Sequence, residues 1–355
     1  MTSHRNQFPA NLTVGFDLGD TTSRLYAVDA SGTRVAERTI PTTRTGLTRY
    51  FSQGTGWCVV LEVGTHSPWV SRELAALGHD VVVANPSAVY GARRRRHRND
   101  RLDAEFLARQ GRADRQLLHP IQHRTLQAQE HLEVLRARDQ IVQTRTKLVN
   151  HVRGAVKAVG GRIRTCSADA FAKRAAGDLP DALRPALLPL LEVIADLTRR
   201  IATFDRQLEA LIRAHYPVAQ HLQQPAGVGP LTSLAYVLLV EDPTRFQKSR
   251  DVGPYFGLVP RLDESSQSQP QLRITKAGDM MGRRLLVSAA QYILGPFGPP
   301  CDLRRYGEAI ARRGGKNAKK RAVVAVARKL AVLLHRLWVS GAVYDPDYGL
   351  DAHAA

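Results

Sequence analysis

The sequence predicts an α/β domain at the amino end, then a long helical region, then a third unit that is mainly helical. Three observations support this prediction. Short apolar runs alternate with a helical pattern up to residue 85, a heptad of apolar residues runs through the middle, and Gly/Pro turns separate helical patterns after residue 222. At 355 residues the chain is long enough for two domains, at about 150 residues per domain.

The amino-terminal third contains the strand patterns. Residues 12–30, LTVGFDLGDTTSRLYAVDA, predict a strand, a turn and a second strand. The short apolar runs WCVVLE at 57–62 and VVVAN at 81–85 are typical of buried strands. Between them, SPWVSRELAALGHD has apolar residues at helical spacing, with Gly78 as a C-cap. Strand, helix, strand in this order predicts a mixed or parallel sheet, and residues 100–112 return to helix.

Two long helices are predicted in the middle of the chain. Residues 126–159 form the first, and the second has a heptad pattern over more than three heptads. The heptad residues are Leu187, Leu190, Ile194, Leu197, Ile201, Phe204, Leu208 and Leu211. A break near 160–182 indicates an antiparallel hairpin arm or an oligomer contact. A plain helical bundle core is an equally open interpretation.

The composition favours a polyanionic partner. The formal net charge is +19, and this excess of positive charge favours nucleic acid first and an anionic membrane surface second. Hydrophobic residues make up 43%, which is typical of a globular chain. The sequence has no apolar run near 20 residues and only three cysteines, so we expect a cytoplasmic, nucleoid-associated protein without disulfides and outside the membrane.

Basic residues concentrate in two segments. Residues 93–164 hold 18 Lys and Arg against 7 Asp and Glu, and residues 304–336 hold 11 against one acid. Arginine suits bidentate phosphate contact, although a basic solvated helix face is the alternative interpretation. The candidate nucleic-acid contacts are Arg93, Arg94, Arg95, Arg96, Arg98, Lys276, Arg283, Arg284, Lys319 and Lys320.

Four acids are candidates for a metal site. Asp17 lies in the first predicted strand, Glu62 ends a later one, and Asp100 and Asp103 share a helix face. Clustered carboxylates are costly unless a cation compensates them, and Mg²⁺ takes oxygen ligands. Each acid alone is more often a solvated strand end or helix face. The order of all four predicts a magnesium site, with room for two ions, for phosphodiester chemistry.

Several motifs resemble the IS110 insertion-sequence transposase family. In the first half these are FDLGDTTS, VVLEVGTHSPWV and NDRLDAEFLAR, and in the second half PAGVGPLTSLAYVLLVEDPTRF, DVGPYFGLVPR and ITKAGDMMGRRLLVSAA. The resemblance covers roughly residues 12–345. It implies an α/β, RuvC-like, ribonuclease-H-type domain at 10–118. A helical coiled-coil region at 119–215 and a mainly α-helical C-terminal transposase domain at 222–345 would follow.

The resemblance also implies catalytic roles. It places the family's metal-binding acids on Asp17, Glu62, Asp100 and Asp103. It further implies a serine nucleophile that attacks a DNA phosphate and forms a covalent phosphoserine link. In the loop RLDESSQSQPQLRITKAG this is Ser265, directly after an acid, with Ser266 and Ser268 as alternatives because Ser266 stands where the family commonly has glycine.

The partners follow from the same resemblance. It implies double-stranded donor and target DNA, a structured bridge RNA that pairs with both, and a homodimer that assembles into a tetramer on DNA. The protein would then read RNA shape and backbone while base pairing reads sequence.

Three other functions remain alternatives at this point. A RuvC-like nuclease or resolvase would use water instead of a serine. An actin-like or sugar-kinase ATPase would use GFDLGDTTSRLYAVD as a phosphate-binding hairpin, but the charge and the heptad fit it poorly. A non-catalytic nucleic-acid scaffold would leave the four acids unexplained.

Overall fold

A five-stranded mixed sheet organises the chain up to Arg124. The structure, a computed structural model, describes residues 11–86, 100–263 and 272–348. Contacts divide the chain into two compact units, the first ending at Arg124 and the second beginning at Thr125.

The strands of the first unit confirm the predicted strand–turn–strand and the two buried runs. They are β1 (Thr13–Asp17), β2 (Thr22–Val28), β3 (Arg34–Pro41), β4 (Cys58–Glu62) and β5 (Asp80–Ala84). Their order in the sheet is β3-β2-β1-β4-β5. β1 is antiparallel to β2 and parallel to β4, and β4 is parallel to β5. The sheet is therefore mixed, which is one of the two forms that the sequence predicts.

Helices cover both faces of this sheet. They are α1 (Arg44–Phe51), α2 (Ser67–Ala76) and α3 (Asp100–Ala113). Val14 and Phe16 of β1 share a core with apolar residues of α1 and α2. Val60 of β4 contributes instead to a core with Leu107 of α3. Alternate side chains of the strands thus pack on opposite layers.

A buried histidine lies in the aromatic part of the first core. His79 is 6% exposed and lies 5.2 Å from the Trp57 ring and 5.4 Å from the Phe51 ring. The backbone N–H of Trp57 donates to its Nδ1 at 3.3 Å, so Nε2 carries the proton and donates to the Phe51 carbonyl at 3.0 Å. Burial lowers the pKa of His79, because the charged ring would be poorly solvated.

The second unit is mainly helical in its described residues. Its helices are α4 (Leu126–Ala158), α5 (Phe171–Asp178), α6 (Arg184–His215), α7 (Pro217–His221), α8 (Pro230–Val240), α9 (Val252–Tyr255), α10 (Met280–Leu294), α11 (Asp302–Arg312) and α12 (Ala318–Ser340). The two predicted long helices are α4 and α6. The basic segment 304–336 falls on α11 and α12, separated by Gly314 and Gly315 in the left-handed region.

Helices α4 and α6 form an antiparallel hairpin. Leu135, early in α4, shares a core with Leu208, late in α6. Val152, late in α4, shares a separate core with Leu191, early in α6. The predicted heptad is buried at every seventh residue, at Leu187, Ile194, Ile201 and Leu208. The predicted seam therefore packs within the chain, whereas supercoiling of the two helices stays a prediction.

The base of the hairpin and the carboxyl-terminal helices share one core. Residues 234–240 of α8 are all buried, and they contact a cluster that includes Leu132 of α4 and Leu330 of α12. The Tyr236 hydroxyl donates to the Ala331 carbonyl at 2.8 Å, which satisfies this buried polar group.

The predicted boundary between 215 and 222 stays a prediction. Among the described residues, no helix has the length and apolar character needed to cross a membrane.

We predict that His79 makes the first unit less stable in acid. The folded state binds a proton at His79 less readily than the unfolded state, whose pKa is about 6.5. The free energy of unfolding should therefore be highest above that pH and decrease as pH falls below it. Urea unfolding of the full chain between about pH 7.5 and about pH 5.5 measures this dependence.

His79→Gln keeps a donor and an acceptor but cannot titrate, so it should flatten this pH dependence. The matched control is His151→Gln, since His151 is exposed on α4. An unchanged pH dependence in His79→Gln would contradict the prediction.

Candidate active site

Two of the four candidate acids lie at the carboxyl ends of neighbouring parallel strands. β1 ends at Asp17 and β4 ends at Glu62, and the register pairs Phe16 with Leu61 directly before them. Both acids are half-buried. Carboxyl ends of parallel strands meet at one edge of the sheet, which is where α/β folds bind ligands. We call this the acid edge.

Helix α3 carries the other two acids to the same edge. A Cβ on Gly15 would lie 1.9 Å from the Ala104 carbonyl oxygen, so β1 and α3 are in backbone contact there. Further along α3, a Cβ on Gly111 would lie 2.3 Å from Val60 and 3.5 Å from Thr13. Helix α3 therefore runs antiparallel to β1.

The first turn of α3 thus lies at the carboxyl end of β1. Asp103 directly precedes Ala104, and Asp100 begins the helix. The backbone places all four candidate acids at the acid edge. Their oxygen donors are of the kind that Mg²⁺ prefers.

The side chains do not form a ready-made metal cage. Within residues 11–86, 100–263 and 272–348, no three His, Cys, Asp or Glu side chains are grouped closely enough to hold a metal ion. The placement of the four acids fits a magnesium site in donor chemistry and location, and metal binding stays a prediction.

A histidine that sequence reasoning missed also lies at the acid edge. His66 follows β4 and precedes α2, and the Trp69 indole N–H donates to its Nδ1 at 3.0 Å. Because an indole nitrogen only donates, the ring proton lies on Nε2, which faces Asp20 Oδ1 at 3.3 Å. The i, i+3 spacing of His66 and Trp69 at the start of α2 is the signal that could have revealed it.

Comparison with known proteins gives the family. The profile of IS110 transposases, described as a transposase, matches residues 14–160, and the profile described as "Transposase IS116/IS110/IS902 family" matches residues 219–306. The transposase for insertion sequence element IS1111A of Coxiella burnetii is 30% identical over 79% of this chain and 77% of its own length. The chain belongs to the IS110 family of insertion-sequence transposases.

Two further relatives are similar over most of the transposase. The probable family 20 transposase of Pseudomonas aeruginosa is 27% identical over 94% of this chain and 98% of its own length. The transposase for element IS1328 of Yersinia enterocolitica is 27% identical over 78% of this chain and 82% of its own length. The first matched profile range contains all four acids, and the second contains Ser265.

Several predicted site residues of the transposase lie outside the described residues. They are the nucleophile candidates Ser265, Ser266 and Ser268 and the basic residues Arg93, Arg94, Arg95, Arg96 and Arg98. Their roles stay predictions.

The described basic candidates divide into two kinds. Arg283 donates to the carbonyls of Phe256 and Ala277 at 3.2 and 2.8 Å, and Arg284 pairs with Asp139. Lys276, Lys319 and Lys320 are exposed. The two arginines therefore stabilise the local fold whether or not they also contact nucleic acid, and the lysines are available to phosphate.

We predict that Gly15→Ala destabilises the first unit by about 1–3 kcal/mol, since a methyl group there overlaps the α3 backbone. Urea unfolding measures the loss. The control is Gly154→Ala, at an exposed position within α4 where the new Cβ meets no atom within 4 Å apart from its own helix backbone. It should stabilise by about 0.5–1 kcal/mol, because alanine favours helix more than glycine does. Equal stability of Gly15→Ala and the unmodified protein would refute the close contact.

Proposed function

We propose that this transposase is a Mg²⁺-dependent enzyme that cleaves and rejoins DNA strands through a covalent phosphoserine intermediate. The observation that carries the proposal is the convergence of Asp17, Glu62, Asp100 and Asp103 on the acid edge. A non-catalytic scaffold gives no reason for this convergence, whereas phosphodiester chemistry does.

The metal site would act on the phosphate. Mg²⁺ held by these carboxylates would polarise the scissile phosphate and stabilise the departing oxygen. A serine hydroxyl is a weak nucleophile at neutral pH, so it needs such activation. In the proposed step, the Ser265 oxygen forms a bond to phosphorus, the bond from phosphorus to the sugar oxygen breaks, and that oxygen gains a proton. Rejoining reverses these changes with a new strand.

The sheet order supports a RuvC-like assignment for the first unit. The acid-bearing β1 lies at the centre, with an antiparallel hairpin on one side and parallel strands on the other. Helix α3 then crosses β1 with its acids in its first turn. This arrangement has one candidate metal ligand on each of two central strands and two candidates on helix α3.

Nucleic-acid partners are part of the proposal. The net charge of +19 supports binding of donor and target DNA through their phosphates. Such contacts contribute to affinity but do not distinguish one DNA sequence from another. We therefore also propose that a structured bridge RNA supplies the sequence information, and that the transposase works as a homodimer pairing into a tetramer on DNA.

We predict that the transposase forms a covalent adduct with nicked DNA and that Ser265→Ala abolishes it. The adduct is measured as a labelled protein band that survives denaturing electrophoresis. Ser266→Ala and Ser268→Ala are matched controls in the same loop, and both should keep the adduct. Asp100→Asn should also abolish it while leaving DNA binding within about threefold, since amide and carboxylate are similar in size.

Each alternative gives a different result in this assay. Cleaved DNA without a protein adduct would indicate that water is the nucleophile, as in a RuvC-like nuclease. An adduct that persists in Ser265→Ala and disappears in Ser266→Ala or Ser268→Ala would move the nucleophile to that residue. Full activity of Asp100→Asn in Mg²⁺ would exclude the proposed metal site.

We predict that one structured RNA co-purifies with the native transposase. Sequencing that RNA should reveal two loops, one complementary to the element's DNA and one to its insertion site. Altering a loop should redirect insertion to the matching new site. If protein freed of RNA inserts at unchanged sites, the guide proposal is wrong.

A further inference from the structure

Four arginines lie around a single glutamate at the β3 edge of the sheet. We call Arg24 of β2, Arg34 and Arg38 of β3 and Arg101 of α3 the arginine cluster, and Glu37 of β3 lies among them. None of these residues is among the candidates that the sequence analysis identified. The cluster is assembled from three elements that are separate in the chain.

Three of the arginines share the Glu37 carboxylate. Its oxygens lie 3.2 Å from Arg24, 3.4 Å from Arg34 and 3.1 Å from Arg101. Arg38 leaves β3 towards the other face, since its register partner is Leu25, and donates to the Glu37 backbone carbonyl at 3.0 Å, so it adds positive charge at the edge without using the carboxylate. Within the cluster, four guanidinium groups against one carboxylate give a formal excess of three positive charges, before the neighbouring carboxylates of the acid edge are counted.

This excess of positive charge favours the binding of an anion. Like charges held a few ångströms apart repel each other even near a surface, and an arriving anion relieves that repulsion. The Nε of Arg24 is buried and has no hydrogen-bond partner within the described parts of the chain. Guanidinium groups in a fixed arrangement suit phosphate oxygens, which can accept two hydrogen bonds at once.

The cluster lines an open groove along the sheet edge. Arg24 and residues 34–39 border a cavity of about 540 Å³. β3 is the edge strand of the sheet, so the groove is open along its length. A linear polyanion can therefore extend along it, whereas a closed pocket would select a small anion.

The position of the cluster identifies which polyanion it fits. Arg24 is the direct cross-strand partner of Asp17 in the β1–β2 register, so the two side chains lie on the same face. Arg101 lies between Asp100 and Asp103 in the first turn of α3. The arginine cluster is thus directly beside the acid edge.

We propose that the arginine cluster binds the phosphate backbone of the DNA strand that enters the acid edge. This inference rests on the proposed DNA chemistry of the acids. The acids by themselves repel DNA, and the cluster offsets that repulsion next to the scissile phosphate. Glu37 holds the guanidinium groups in place until phosphates replace it as their partner.

The test uses the full-length transposase with Ser265→Ala, so that binding is measured without strand cleavage. Arg34→Gln with Arg38→Gln removes two exposed members of the cluster. The probe is a linear DNA duplex of arbitrary sequence, because phosphate contacts carry no sequence information. We expect at least a tenfold loss of affinity at low salt and a salt-dependence slope smaller by about two, one for each lost contact.

The matched control removes two exposed arginines of helix α1 that do not border the groove, Arg44→Gln with Arg49→Gln. It should lower affinity less and leave the slope nearly unchanged. Arg34→Lys with Arg38→Lys keeps the charge and loses the paired hydrogen bonds, so its affinity should be intermediate. Thermal unfolding should show the glutamine variant to be at least as stable as the parent, since it relieves repulsion.

The results separate this inference from the phosphoserine mechanism. If the two glutamine variants lose affinity equally, the cluster is not a DNA site. If an RNA of the same sequence loses affinity as much as the duplex or more, the assignment to DNA is overturned. If the cluster variant loses DNA affinity while the serine assay shows no adduct, the cluster stands and the phosphoserine mechanism fails.

Discussion

The contact between Gly15 and Ala104 is the constraint on which the acid edge depends. Any side chain at residue 15 would overlap the α3 backbone, since a Cβ there would lie 1.9 Å from a carbonyl oxygen. That closeness sets how far Asp103 lies from the end of β1. The sheet already sets the distance between Asp17 and Glu62 through the β1–β4 register. One backbone contact thus adds the helix acids to a strand pair that hydrogen bonding has positioned.

The parts of the site that local patterns encode were predictable. The strands ending at Asp17 and Glu62 are short apolar runs, and the helix of Asp100 has a regular pattern, so each is readable from its own residues. β3 was missed because RVAERTIP lies at the edge of the sheet and alternates poorly between apolar and polar residues. Helix α1 at 44–51 was also not predicted from the sequence.

The arginine cluster could not be predicted for a different reason. Its members come from β2, β3 and α3, and only the register of Arg24 with Thr39 and of Tyr26 with Glu37 brings β2 and β3 residues together on one face. Since β3 itself was not predicted, no spacing in the sequence indicates that Glu37 meets Arg101. Local periodicity identifies elements, and tertiary pairing creates sites of this kind.

Some of the basic residues that make up the net charge are engaged within the fold and are not available to nucleic acid. Arg145 is 9% exposed and bonds Asp169 and Thr198 inside the helical hairpin. Arg304 donates to three backbone carbonyls, those of Ile293, Gly295 and Gly298. Such arginines stabilise the second unit, because buried carbonyls and guanidinium groups need partners. Counting basic residues along the sequence therefore cannot locate a phosphate site. A local excess of arginines over carboxylates can locate such a site. The arginine cluster of the first unit has that excess, and it lies beside the acid edge.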